Sequence, residues 1–561
     1  MTISNSDRYW RLCLILTLIA PILYGLLDIQ TAFAGDWIVQ DDARQHVFWM
    51  MRYIDPQLFY HDLIADYFQS VAPVGYTFLY KIAANLGIDP LVFNKLIPIG
   101  LRVVITYYFF LLCREIFPIP IGCVISTLLF NHNIWLKDDI VSGTPRAFLY
   151  PFFIAFLYYF TKQSLLPCLV TIVLLSLFYP QTVFLASGIL FLNLFKWRGF
   201  MPTLVSHKKQ ILFSLIGLAV SVIVLLPYAI KTSDYAPVIT RAEALNMAEF
   251  HYGGRSNFFK DSIFEYIVGR GNGVMISTAV FKPIILLSSL FLPLAIGQSD
   301  KYTLATQITA KLNTVVKLLV ASLGMYIFAH LVLFRLHLPS RYTTHSLRIA
   351  VAISAGITIT VVLDYLRKKF KTNFSYKKSK ILFSGVIIAT MLLTYSDFLD
   401  YHSPTGYKEG SYPDLYQFFQ QQPKDIVIAS LTKESDNLPT FAKRSVLVSR
   451  EYAIPYQLGF YKPFSQKVKD LITAQYSNNL EKVQQIIRQY NISYWLIEEK
   501  SFNLEYVQKN RWLKQYKSEY EKAVSLLQNN QTPIIAAYKD DCQAFSTSKF
   551  TVIDARCLLN N

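Results

Sequence analysis

Two pairs of adjacent carboxylates, Asp41-Asp42 and Asp138-Asp139, each follow directly on a long apolar run. Side chains of this type can take a proton from an attacking hydroxyl. They can also offer hard oxygen ligands to a divalent cation such as Mg or Mn. Asp41 and Asp42 are the candidate acid-base residues, and Asp42, Asp138 and Asp139 are the candidate metal ligands. Opposite charge is supplied further along, where Arg335, His337, Arg341, His345 and Arg348 crowd into one polar stretch, and where Arg146 closes the loop that carries Asp138-Asp139. A guanidinium fork suits phosphate oxygens, which makes Arg341 and Arg146 candidate phosphate-binding groups.

Around the first pair, Asp42 and Gln45 have the spacing of a capping-box variant, so Asp42 is expected to cap a helix beginning at Ala43 and to leave Asp41 as the freer carboxylate. His46 falls one turn after Asp42 and is a candidate accessory residue; a lone imidazole beside Trp49 and Met50 is also a common packed interfacial side chain. Residues 55–68 interleave acidic and apolar positions without reaching the length of a span, a pattern that suits helices lying in a membrane interface.

The elements that must hold these residues are apolar helices. Hydrophobic residues make up 53% of the 561 and charged residues only 16%, with a mean hydropathy of +0.32, which excludes an ordinary soluble protein. The net charge of +17 would suggest a nucleic-acid partner in a soluble chain, but here the basic residues fall in short segments between apolar runs and report topology instead. Runs at 12–34, 91–113, 118–136, 147–161, 165–179, 182–195, 210–230, 275–297, 313–334, 349–366 and 381–397 predict about eleven spans. Arg8 and Arg11, then Arg114, Lys162, Lys196, Arg198, Lys208, Lys209, Lys301 and Lys311, and finally the run from Arg367 to Lys380 occupy alternate connections. The positive-inside bias therefore puts the N-terminus in the cytoplasm and the segments 35–90, 137–146, 231–272, 336–348 and everything after about Asp397 outside the plasma membrane. Ala32-Phe33-Ala34 before Gly35 also resembles a signal cleavage site, yet the preceding run is long and contains Pro21 and Asp28, so an uncleaved first helix is expected.

The chain thus divides into a helical membrane domain, 1–397, and an extracytoplasmic α/β domain, 398–561. In the latter, residues 425–430, 445–449 and 492–497 read as strands, and Lys467 to Gln475 and Asn479 to Tyr490 carry helical patterning. That alternation predicts a largely parallel sheet. Cys13, Cys113, Cys123 and Cys168 lie in apolar runs and read as small buried hydrophobes, whereas Cys542 and Cys557 are either a disulfide or two separate thiols.

An N-in bundle of about eleven spans, a large first outer loop with the pair Asp41-Asp42, a second acidic loop with Asp138-Asp139, a late outer Arg341 and a C-terminal outer α/β domain together resemble the GT-C superfamily of integral-membrane glycosyltransferases. That superfamily includes oligosaccharyltransferases, protein O-mannosyltransferases and aminoarabinose transferases. The likeness covers the whole architecture but rests on few residues, and a W-W-D-like acceptor motif is missing from the C-terminal domain, which argues against an oligosaccharyltransferase. The resemblance implies inverting transfer of a hexosyl or pentosyl group from a polyprenyl-phosphate donor to an extracytoplasmic glycan, lipid or protein in the cell envelope. Asp41 would be the base, Arg341 would neutralise the departing phosphate, and Asp42, Asp138 and Asp139 would support it or hold a cation. The alternative is a multi-pass transporter or lipid-linked glycan flippase; against it, the acidic residues lie in loops rather than mid-span and no inverted repeat is visible.

Overall fold

The computed structural model describes residues 3–198, 201–230, 233–269, 271–274, 280–373 and 406–560, with scattered positions from 381 to 387. Apolar helices dominate the first two thirds of the chain. Among the described residues, five are long and apolar enough to cross a membrane: Asp7–Ala32, Pro90–Ile116, Lys208–Ile230, Ala310–Leu331 and Arg341–Lys371. Local chemistry sets their ends. Asp89 caps the second of them, its side chain accepting from the Leu91 and Val92 amides at 2.8 and 3.4 Å, and Pro90 takes the first helical position, where its missing N–H costs nothing. The same helix stops at Ile116 because Phe117 precedes Pro118 and is pushed out of the helical region.

Each of the first ten expected spans overlaps a helical segment, the one at 275–297 only from Ile284 on, with 275–279 outside the described residues, and several are short. Pro120–Trp135, Leu149–Thr161, Leu165–Phe178 and Gln181–Leu192 have 16, 13, 14 and 12 residues. At a rise of about 1.5 Å per residue, none reaches the roughly 30 Å of a hydrocarbon core by itself. Length alone therefore does not establish the count of about eleven among the described residues. The eleventh expected span, 381–397, lies outside the described residues.

The bundle has two chemically distinct ends. At one, Arg114 lies over the Trp10 ring, Lys311 pairs with Glu115, Lys317 donates to Asn193 at 2.6 Å and Lys368 to Thr303 at 2.7 Å. These are the basic connections that the sequence assigns to one side of the membrane. The opposite end gathers the acidic loops and receives the C-terminal domain. A short antiparallel seam joins the two parts, with Ile38–Gln40 paired to Tyr407–Glu409.

The C-terminal domain contains a five-stranded sheet in the spatial order Ser445–Val446, Val427–Ser430, Tyr494–Glu498, Phe550–Asp554, Gln543–Ser546. The first three strands are parallel, as the strand-helix alternation predicts. The last two form an antiparallel hairpin, so the sheet is mixed rather than largely parallel. The helix Leu458–Gln475 begins earlier than its patterning indicates, and Leu480–Tyr490 is capped by the Asn479 side chain, which accepts from the Lys482 amide at 3.2 Å. Trp495 and Leu496 from the central strand and Val552 and Ile553 from its neighbour are fully buried and build the core. A disulfide joins Cys542 to Cys557, and the other four cysteines are buried thiols.

Candidate active site

The first outer loop emerges from the helix ending at Ala32, pairs through Ile38–Gln40 with the C-terminal domain, and turns at Asp41-Asp42 into the short helix Ala43–His46. Asp42 stands at the cap position but its side chain makes no cap hydrogen bond. The expected cap is replaced by an ion pair: Arg146, 104 residues away, donates from Nη2 to Asp42 Oδ2 at 2.5 Å. A guanidinium offers a charge-assisted bond where the helix N-terminus offers neutral amides, and the charged partner takes the carboxylate.

Arg146 is the hub of the site. Besides Asp42, its Nη2 lies 3.5 Å from Asp138 Oδ2 and its Nε lies 3.1 Å from Asp139 Oδ1. Asp42, Asp138, Asp139 and Arg146, all selected from sequence, are thus brought together. Arg146 was expected to face a phosphate; its guanidinium is instead engaged by these three carboxylates. Burial would lower the guanidinium's pKa, but Asp42, Asp139 and Asp138 outweigh it and hold the group charged.

Asp139 is the innermost of the three, with a side chain only 7% exposed. Its Oδ2 accepts from Arg348 at 3.1 Å and from the Tyr150 hydroxyl at 3.3 Å, and His345 Nδ1 stands 3.7 Å away. The Tyr150 hydroxyl also meets His345 Nδ1 at 2.9 Å. Burial alone would raise the Asp139 carboxyl, yet Arg146 and Arg348 hold it well below the usual carboxylate range. Tyr150, His345 and Arg348 were not assigned together by sequence, because they lie on the two helices Leu149–Thr161 and Arg341–Asn373, nearly two hundred residues apart.

Asp41 faces the other way. It pairs with Arg44 and lies 3.9 Å from Lys408 of the C-terminal domain, and its amide donates to Gly406 O at 3.0 Å. Gly406 has φ of 64°, and a Cβ there would stand 3.6 Å from that of Asp138 and 3.2 Å from Gln40 Nε2, so the chain re-enters the site at a residue that tolerates both the turn and the close approach. Arg44 extends the contact by donating to Asn437 Oδ1 at 2.8 Å, while Glu451 receives Gln45 and, at 2.7 Å, Arg255. Tyr452 donates its hydroxyl to Arg44 O at 3.0 Å. Through these bonds the C-terminal domain, the loop around Arg255 and the first outer loop form one rim beside the carboxylates.

His46 is partly exposed and stacks edge-on against Phe68 at 5.7 Å between ring centres. Burial of the ring lowers its pKa to about 4; Asp42 pulls upward, and Arg146 and Arg341 push down. His46 is therefore neutral at physiological pH and is close enough to Asp42, Arg146 and Arg341 to feel all three charges. Arg341 opens the helix Arg341–Asn373 and is partly exposed, and its guanidinium makes no hydrogen bond or ion pair with any described residue. Nearby His337 is pushed down to about 3 by burial and by the Arg341 charge. A cation without a partner among the described residues, beside imidazoles that stay neutral, has the charge and donor type that suit an anion.

The three candidate metal ligands converge on a guanidinium, and among the described residues no group of three or more His, Cys, Asp or Glu side chains is arranged to hold a metal.

Neither a family model nor a curated protein matches the sequence. Three solved structures are similar in the course of the chain. The Archaeoglobus fulgidus oligosaccharyltransferase tethered with an acceptor peptide containing the NVT sequon matches with a TM-score of 0.48 at 14% identity, covering 91% of this chain and 72% of that one. The Archaeoglobus fulgidus oligosaccharyltransferase AglB in complex with an inhibitory peptide and a dolichol-phosphate matches with a TM-score of 0.44 at 13% identity over 91% and 72% of the two chains. The arabinofuranosyltransferase AftD from Mycobacteria matches with a TM-score of 0.46 at 11% identity, over 86% of this chain and 35% of that one.

Proposed function

We propose that the chain is a membrane glycosyltransferase whose site lies at the outer end of the bundle, between the Asp42-Arg146-Asp138 cluster and Arg341. The carrying observation is that Asp42 and, from a loop far along the chain, Asp138 and Asp139 converge on the Arg146 guanidinium, with Arg341 unpaired among the described residues. A carboxylate able to take a proton and a cation able to meet a phosphate match the charge changes of glycosyl transfer from a phosphate-linked donor. The acceptor hydroxyl gives its proton to a carboxylate as its oxygen attacks the anomeric carbon. The bond from that carbon to the phosphate oxygen breaks with inversion, and the phosphate leaves with its electron pair, neutralised by Arg341.

Asp42 is the better base on geometry. The reason for preferring Asp41 was that Asp42 would cap a helix, and it does not. Asp42 belongs to the cluster that faces His46 and Arg341, whereas Asp41 is turned to Arg44 and Lys408 and borders the side from which the C-terminal domain would present an acceptor. The donor is a polyprenyl-phosphate sugar, reached from the lipid phase, and the Cys542–Cys557 disulfide supports an extracytoplasmic C-terminal domain. The test is transfer of a radiolabelled sugar from a polyprenyl-phosphate donor in membranes containing the chain. Translocation of the labelled lipid without transfer would favour the flippase reading instead.

A further inference from the structure

We infer that Arg146 takes the place of a divalent cation in this acidic cluster, so that the site is complete without a metal. The inference deepens the glycosyltransferase reading, but its main test is a binding measurement that does not depend on that reading.

A small hard cation holds its oxygens at about 2.0–2.2 Å from a single point. Here Asp42 Oδ2, Asp138 Oδ2 and Asp139 Oδ1 are directed at Nη2, Nη2 and Nε of one guanidinium, at 2.5, 3.5 and 3.1 Å. The point they share is filled by Arg146, whose side chain is 12% exposed. Arginine cannot give up its charge at any accessible pH, so a cation could enter only by expelling a buried guanidinium.

That guanidinium is held in place. Asp139 grips Nε and is itself fixed by Arg348 and Tyr150. The loop behind Arg146 is pinned as well: Phe148, two residues on, packs on Phe178 at 4.7 Å and on Tyr76 at 6.0 Å between ring centres. Charge points the same way. Asp42, Asp138 and Asp139 face Arg146 and Arg348, and Lys137 adds a further positive charge that acts on Asp139. A divalent ion entering beside the retained guanidinium would leave the cluster net positive. A fixed guanidinium orients Asp42 and Asp138 without that excess charge.

The experiment uses the full-length protein in detergent, titrated with Mn2+ and followed by the electron paramagnetic resonance signal of the free ion. Wild type and Arg146→Lys should show no stoichiometric Mn2+ site. Arg146→Ala, which leaves three carboxylates facing one opening, should bind Mn2+ at least about a hundredfold more tightly than wild type, because a unit positive charge within about 4 Å has been removed. The gain should disappear in Arg146→Ala/Asp138→Asn. In the transfer assay, wild type should keep its activity in excess chelator. One Mn2+ bound per wild-type chain and lost on Asp138→Asn would overturn the inference, while leaving the site's role in transfer intact.

Discussion

Arg146 Nη2 and Asp42 Oδ2 meet at 2.5 Å, and this bond ties the loop after the helix Pro120–Trp135 to the loop after the helix ending at Ala32. It explains why two acidic pairs so far apart in sequence belong to one site. Removing its cationic half should be costly. Arg146→Ala leaves Asp42, Asp138 and Asp139 facing one another, and breaking a buried ion pair from one side typically costs about 3–5 kcal/mol. Thermal unfolding in detergent should show a clear loss in Arg146→Ala and a smaller one in Arg146→Lys, which keeps the charge but not the fork.

Arg341 should behave differently, because no described residue depends on its guanidinium. Arg341→Ala is expected to leave the unfolding temperature within a few degrees of wild type while weakening donor use by at least about a hundredfold, the scale of one lost contact to a developing oxyanion. Transfer kinetics against donor concentration check this. Equal losses of stability and activity would mean that Arg341 is a structural residue.

His46 gives a pH signature. Its ring titrates at about 4 in the folded protein against 6.5 for a free side chain. The unfolded chain therefore takes up a proton first as pH falls. The associated stability is fully present above about 6.5 and is lost as the pH drops toward 4, amounting to at most about 3 kcal/mol. Denaturation midpoints between pH 7 and pH 4 should fall less steeply in His46→Asn than in wild type, and parallel curves would contradict the assignment.

The rim contacts predict a role for the C-terminal domain. Glu451 receives both Gln45 and Arg255, so Glu451→Ala leaves two buried donors without their acceptor. The expected outcome is faster proteolytic release of the segment beyond about residue 406 and lower transfer, with the helical circular dichroism unchanged. Fusions of a reporter after Lys209 and after Asn561 should meanwhile report inside and outside, respectively; an inside signal from the second would remove the shared outer site.

Much of this arrangement was legible in the sequence where a residue's meaning is local. Runs of apolar residues give the helices, basic connections such as Arg114 and Lys311 gather at one end of the bundle, and adjacent carboxylates after an apolar run single out the residues that the fold brings together around Arg146. What was not legible depends on partners distant in the chain. Asp42 looks like a helix cap to any local reading, and only the fold reveals that Arg146 competes for it. The seam of Ile38–Gln40 with Tyr407–Glu409 is three residues long, too short for alternation to register. The terminal hairpin escaped for a related reason: its register shifts between Gln543 and Phe545, and an irregular ladder breaks the period of two.

The central claim is that Asp42 accepts the acceptor's proton, and conservative replacement of each carboxylate in the first pair tests it most directly. Asp42→Asn keeps the shape and removes the base, and it is predicted to lower sugar transfer from a polyprenyl-phosphate donor by at least about a hundredfold at wild-type expression. Asp41→Asn, whose partners are Arg44 and Lys408, is predicted to lose distinctly less. Full transfer by the Asp42→Asn protein would contradict the account.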